Sequence, residues 1–196
     1  MSPEIINILD MVGAVGEDTV NAVLSDFSCP LNPEIEYFLK HNAVQFAKER
    51  LAITYLALNG AKELVAYFTL THKALEIAGG SLSNTVRKKL KKVSAYDKES
   101  DTYLTSAFLI AQFGKNDAVE ENINGTELMK TTLTKSQDIQ WEIGGSVVYL
   151  ECEKKQKLID FYSSEANHFI QFKERHNDSD GIDYLMMMRI LNSKRL

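Results

Sequence analysis

Cysteine is nearly absent from this chain of 196 residues: Cys29 and Cys152 are its only two. Two cysteines so far apart supply neither a disulfide framework nor a metal-ligand spacing. The four histidines, His41, His72, His168 and His176, are scattered in the same way, so no metal is expected. A reducing, cytoplasmic setting is the expectation. No window offers about eighteen consecutive apolar residues, so no membrane-spanning helix is expected. The start, M-S-P-E-I-I-N-I-L-D, lacks the basic segment and apolar core of a secretory signal. Positive charge is not in excess either. A net charge of −5 argues against broad nucleic-acid affinity, though not against a local basic patch.

What is present is the mixture of an ordinary globular protein, 44% hydrophobic and 25% charged, and the length suits one domain over 1–196. The chain is organised around Y-L-T-S-A-F-L-I-A-Q-F-G-K-N, which begins at Tyr103. Its apolar, β-branched and aromatic content predicts a strand buried on both faces and ended by Gly114. A polar segment, D-A-V-E-E-N, then leads to Asn124-Gly125-Thr126, after which Leu128, Met129 and Leu133 recur at helical spacing. A buried strand, polar loop, glycine and helix together place exposed backbone N–H groups where a phosphate would sit.

The flanking pattern is mixed. Residues 1–25 predict one or two short helices broken at Gly13 and Gly16. Asn32-Pro33 opens a further helix, with Asn as cap and Pro in the first turn. Residues 51–58 and 64–71 read as strands joined at Asn59-Gly60, a hairpin signal. Residues 72–78 fit a continued strand or a helix equally. Asn84 is placed to cap a short basic helix, T-V-R-K-K-L-K-K-V. After the helix of residues 128–141 come a strand at 146–152, a helix at 154–165, a strand at 167–172, a polar loop at 175–181 and a last strand at 184–191. A hairpin followed by βαβ units predicts an α/β (α+β) fold.

Four pieces together resemble the GNAT superfamily of acetyl-CoA-dependent N-acetyltransferases: the hairpin L-A-I-T-Y-L-A-L-N-G-A-K-E-L-V-A-Y-F-T-L, the central run A-F-L-I-A-Q-F-G-K-N, the segment N-G-T-E-L-M-K-T-T-L, and F-Y-S-S-E-A-N-H-F. The resemblance implies one GNAT-like domain, with N-terminal helices in 1–50 and a core in 51–191. Its sheet would be mixed but mostly antiparallel, with a splayed central strand and helices on both faces. In the phosphate loop, Glu120 and Ile123 stand where the family usually has Gln or Arg and a middle glycine. Asn167-His168 replaces the glycine of the late segment.

The resemblance also implies the chemistry. Ile110, Ala111, Gln112 and Phe113 would offer backbone to the pantetheine of acetyl-CoA as an added strand does. Asn124, Gly125 and Thr126 would cradle the pyrophosphate, and Lys115 would add a charge. Tyr162 matches the tyrosine that protonates the departing thiolate, a task suited to a phenol with a pKa near ~10. Glu151 is the candidate base for the acceptor amine, with Thr105 or Ser106 placed to hold a water. The acceptor would be a primary amine on a small molecule or peptide. Two alternatives stand beside this: a GNAT-shaped binding module, and a toxin-like enzyme acetylating aminoacyl-tRNA through the basic run 87–92. Met186-Met187-Met188 is expected to pack in a strand rather than to bind a ligand, and a homodimer is among the expected assemblies.

Overall fold

The computed structural model describes residues 3–120 and 123–191. In chain order it contains β1 (Glu4–Asn7), α1 (Ile8–Val15), α2 (Glu17–Ser25), α3 (Pro33–His41), α4 (Ala43–Lys48), β2 (Ile53–Leu58) and β3 (Leu64–Ala78). It continues with α5 (Asn84–Leu90), β4 (Ala95–Asp97), β5 (Thr102–Lys115), α6 (Gly125–Ile143), β6 (Val147–Glu153), α7 (Gln156–Ser163), β7 (Ile170–Asn177) and β8 (Ile182–Ile190). The eight-stranded sheet has the order β1-β2-β3-β5-β6-β8-β7, with β4 beside β5. β5 and β6 pair in parallel, whereas β1–β2, β2–β3, β4–β5, β6–β8 and β7–β8 are antiparallel. The mixed, mostly antiparallel sheet expected from the sequence is therefore the one adopted.

The chain divides into two compact units, Met1–Thr71 with Ile110–Met129, and His72–Leu109 with Lys130–Leu196. β3, β5 and α6 each contribute residues to both. In the first unit, Ile8, Val20, Leu24, Phe27, Leu39, Ala43, Val44 and Ala47 of the N-terminal segment pack on Leu56, Leu58, Leu64 and Tyr67. α3 starts as its sequence dictates: the Asn32 side chain accepts from the Ile35 N–H and Pro33 occupies the first turn. Paired Thr54 and Thr69 hydroxyls, 2.8 Å apart and fully buried, and stacked Tyr55 and Phe68 rings hold the β2–β3 register. In the second unit, Leu75, Ile77, Leu90, Tyr103, Ala107, Val147, Tyr149, Phe172 and Met188 form the core.

Several boundaries differ from the sequence reading. The first residues form a strand before any helix: Ile5 and Ile6 pair with Ala57 and Leu56, and Asn7 then caps α1. β3 continues through residues 72–78, burying Leu75 and Ile77 in alternation. α5 is capped by Ser83, not Asn84. β5 alternates in burial, with Leu104 and Ser106 exposed, so it is not buried on both faces throughout. It also runs past Gly114, which serves a close approach: a Cβ there would lie 2.5 Å from Ile35 Cγ2. β7 begins at Ile170, because residues 167–169 turn the chain back from α7, and it takes in Arg175 to Asn177.

Candidate active site

Within the first unit, the second half of β5 delivers the chain to the start of α6. Ile110 is buried, Gln112, Phe113 and Lys115 are half-buried, and Ala111 is exposed. Immediately after the strand, Asn116 is 2% exposed and bonded from both ends of its carboxamide. Its side chain donates to the Leu64 carbonyl (2.8 Å) and accepts from the N–H groups of Ser28 (2.9 Å) and Ala118 (3.1 Å). Its own N–H donates to Val65 O (2.8 Å), and the Asp117 N–H to Ser28 O (2.8 Å). The loop therefore leaves the sheet from a fixed point. Sequence reasoning did not single out Asn116; an Asn directly after a strand is the turn-forming type that marked it.

At the far end of the loop Ile123 is buried, which accounts for an isoleucine where the family pattern has glycine: the side chain packs inward. Glu121 and Asn122 of the acidic stretch lie outside the described residues. Asn124 and Glu127 form a reciprocal capping box. The Glu127 N–H donates to Asn124 Oδ1 (2.9 Å), while the Glu127 carboxylate accepts from Asn124 Nδ2 (2.8 Å) and the Asn124 N–H (3.4 Å). Asn124 is thus committed to the helix start. Gly125 and Thr126, half-buried and exposed, carry first-turn N–H groups for which helix geometry provides no intrahelical acceptor. The 19-residue helix behind them directs its positive end at the same place. Those two N–H groups fit a phosphate, and Lys115 forms no ion pair among the described residues.

Within the second unit, Tyr162 lies in the last turn of α7, 9% exposed. Its ring is edge-on to Phe161 at 5.0 Å and to Phe169 at 5.9 Å. Burial, with a smaller contribution from Cys152, pushes its phenol well above the usual tyrosine range, so the group stays protonated. Cys152 itself is raised to about 11 by burial and is no nucleophile at neutral pH. Glu151 projects from β6 into a two-point ion pair with Arg175, at 2.5 and 3.3 Å. Both carboxylate oxygens of Glu151 are engaged by the Arg175 guanidinium, so an acceptor amine would have to share them with Arg175. Thr105 is buried with its hydroxyl donated to Val93 O (3.2 Å), whereas Ser106 is exposed and its hydroxyl lies 2.9 Å from His72 Nε2. Of the two water-positioning candidates only Ser106 is accessible. His72, its partner, was not foreseen.

The basic run is partly spent. Arg87 makes a bidentate pair with Asp101 (2.6 and 2.9 Å), and Lys91 lies 4.5 Å from the centre of the Tyr96 ring. Lys88, Lys89 and Lys92 form no ion pair among the described residues.

Neither a family model nor a curated protein sequence matches the chain. Solved structures do. A Tyr-to-Phe mutant of KacT superposes with a TM-score of 0.66 at 15% identity, over 97% of this chain and 96% of that one. AtaTR bound with acetyl-CoA gives 0.59 at 12% identity, over 97% and 94%. AtaT complexed with acetyl-methionyl-tRNAfMet gives 0.59 at 13% identity, over 83% and 85%. Strand order and these likenesses agree on one architecture: the chain has the GNAT fold.

Proposed function

We propose that the protein is an acetyl-CoA-dependent N-acetyltransferase that moves an acetyl group directly to a primary amine. The observation that carries the reading is the exposed start of α6, whose Gly125 and Thr126 N–H groups follow a strand and a pinned loop on a fold shared with a structure bound to acetyl-CoA. When bound, acetyl-CoA supplies the activated acyl group as a thioester. Gly125, Thr126 and Lys115 would hold its phosphates, with Asn124 acting through the helix cap. Ile110, Ala111, Gln112 and Phe113 follow directly on Leu109, the last β5 residue of the three-pair ladder with β6, and offer their backbone to the pantetheine.

Attack of the amine would break the thioester's carbon–sulfur bond, releasing one proton from the nitrogen and requiring one at the sulfur. Tyr162 Oη would donate to the sulfur and be reprotonated from solvent. The amine proton would leave through a water held by Ser106, with His72 as the hydroxyl's partner. Glu151 is left in its ion pair.

A second, finer reading takes the α-amine of an aminoacyl-tRNA as the acceptor. Two observations favour it: the unspent lysines Lys88, Lys89 and Lys92 on and just after α5, and the likeness to AtaT in complex with acetyl-methionyl-tRNAfMet. The test is coenzyme A release from acetyl-CoA in the presence of unfractionated aminoacyl-tRNA or of simple primary amines. Transfer to the tRNA pool that weakens in a K88E/K89E/K92E variant, with a shallower salt dependence, supports the finer reading. Transfer to simple amines alone limits the protein to the first. No transfer to either leaves a binding module.

A further inference from the structure

The turn that follows α7 is held more firmly than the end of a short helix requires. The Phe161 carbonyl accepts from Asn167 Nδ2 (2.8 Å) and from Ser164 Oγ (2.8 Å). The Tyr162 carbonyl accepts from the Phe169 N–H (2.9 Å), and the Ser164 carbonyl from the N–H groups of Asn167 (3.1 Å) and His168 (2.8 Å). His168 adopts φ 54°, a left-handed conformation that sends the chain straight back along the helix end. Asn167 is 1% exposed, so its carboxamide is buried at the helix end, where it gives the Phe161 carbonyl a second donor beside Ser164.

A second element reaches this turn. Arg189 of β8 donates from Nη1 to the carbonyls of Asn167 (2.7 Å) and Ala166 (3.5 Å). It forms no ion pair among the described residues. A half-buried guanidinium spent on main-chain carbonyls is costly, and burial alone lowers its pKa. β8 is anchored by its seven-residue register with β6, in which Arg189 lies opposite Val148. The path therefore runs from the sheet through Arg189 to the Asn167 backbone, from the Asn167 side chain to the end of α7, and so to Tyr162. Phe169, brought back by the same turn, presses edge-on against the Tyr162 ring.

We propose that Asn167 and Arg189 are positioning residues that clamp the end of α7 to the sheet and fix the direction of the Tyr162 phenol. The inference rests on the role given to Tyr162 above. A helix end free to fray would let the hydroxyl swing, and displacement of a proton donor by about 1 Å is enough to cost up to a hundredfold in rate.

The test reads the phenol directly. The full chain is labelled with ¹³Cζ-tyrosine, and the Tyr162 signal is assigned by its loss in Tyr162→Phe. In the unaltered protein this signal stays unshifted to about pH 11, whereas in Arg189→Met and Asn167→Ser it titrates close to the free value of about 10. Arg189→Lys, which keeps the charge and stem, falls between and guards against simple loss of fold. With acetyl-CoA and the acceptor found active above, Arg189→Met lowers kcat about tenfold at unchanged KM for acetyl-CoA, but has no further effect in Tyr162→Phe. A Tyr162 signal that titrates in all the folded variants as it does in the unaltered protein overturns the clamp, as does an equal loss of rate in both backgrounds. Full activity of Tyr162→Phe alone would overturn the proton-donor role while leaving the titration to judge the clamp.

Discussion

Gly114 shows how one missing methyl lets β5 pass beneath the N-terminal helices. A Cβ at this position would lie 2.5 Å from Ile35 Cγ2 and 3.4 Å from Tyr67 Cε1. Neither neighbour can easily give way: Ile35 is β-branched, and the Tyr67 hydroxyl is bonded to the Ile35 carbonyl at 2.6 Å. Gly114→Ala is therefore expected to cost about 1–3 kcal/mol in urea unfolding, and adding Ile35→Ala should return part of it. An unchanged midpoint for the single variant would contradict this packing. The sequence showed a glycine near the end of an apolar run and suggested a stop. What it could not show is a contact with Ile35, distant in the chain, which turns the same residue into an allowance for close approach.

Elements are joined in this molecule by a few polar residues with several partners each. Asp101, just before β5, accepts two bonds from Arg87 of α5 and one from Tyr96 of β4. The Arg87 bonds, followed by that of Tyr96, hold the Asp101 carboxyl below its usual range. A carboxylate with a depressed folded-state pKa contributes stability that is present above its unfolded value, and that stability is lost as pH falls through the folded value. Melting temperatures measured from about pH 6 down to pH 2 should thus fall less steeply in Asp101→Asn than in the unaltered protein. Parallel curves would show that the network carries no such linkage. Legibility at this scale followed locality. Asn32-Pro33 announced α3, and Asn124 with Glu127 marks the start of α6, because a cap is written within four residues. β1 went unread because four residues make a strand only through pairing with β2. The exposed positions of β5 were hidden by apolar Leu104, which reads as core and is 53% exposed.

At the scale of the whole molecule, the hairpin, the central strand with its loop and helix, and the later βαβ segment were legible because each follows a period that the sequence repeats. The GNAT fold emerged from their order. Of the residues proposed to hold the cofactor, Gly125 and Thr126 were read from a local pattern, the start of α6, where the backbone offers its N–H groups. Long-range polar contacts were not legible: Asn116 bonds to Ser28 across 88 positions, and Arg189 reaches Asn167 across 22. Every group proposed to bind the cofactor belongs to the unit of Met1–Thr71 and Ile110–Met129, so cofactor binding can be tested apart from proton transfer. The most direct measurement is calorimetric titration of the purified protein with acetyl-CoA, beside Gly125→Arg. The account predicts a Kd in the micromolar range for the unaltered protein and loss of binding in the variant, whose side chain would cover the N–H groups at the start of α6. No binding at millimolar acetyl-CoA, or equal binding by the variant, would contradict it.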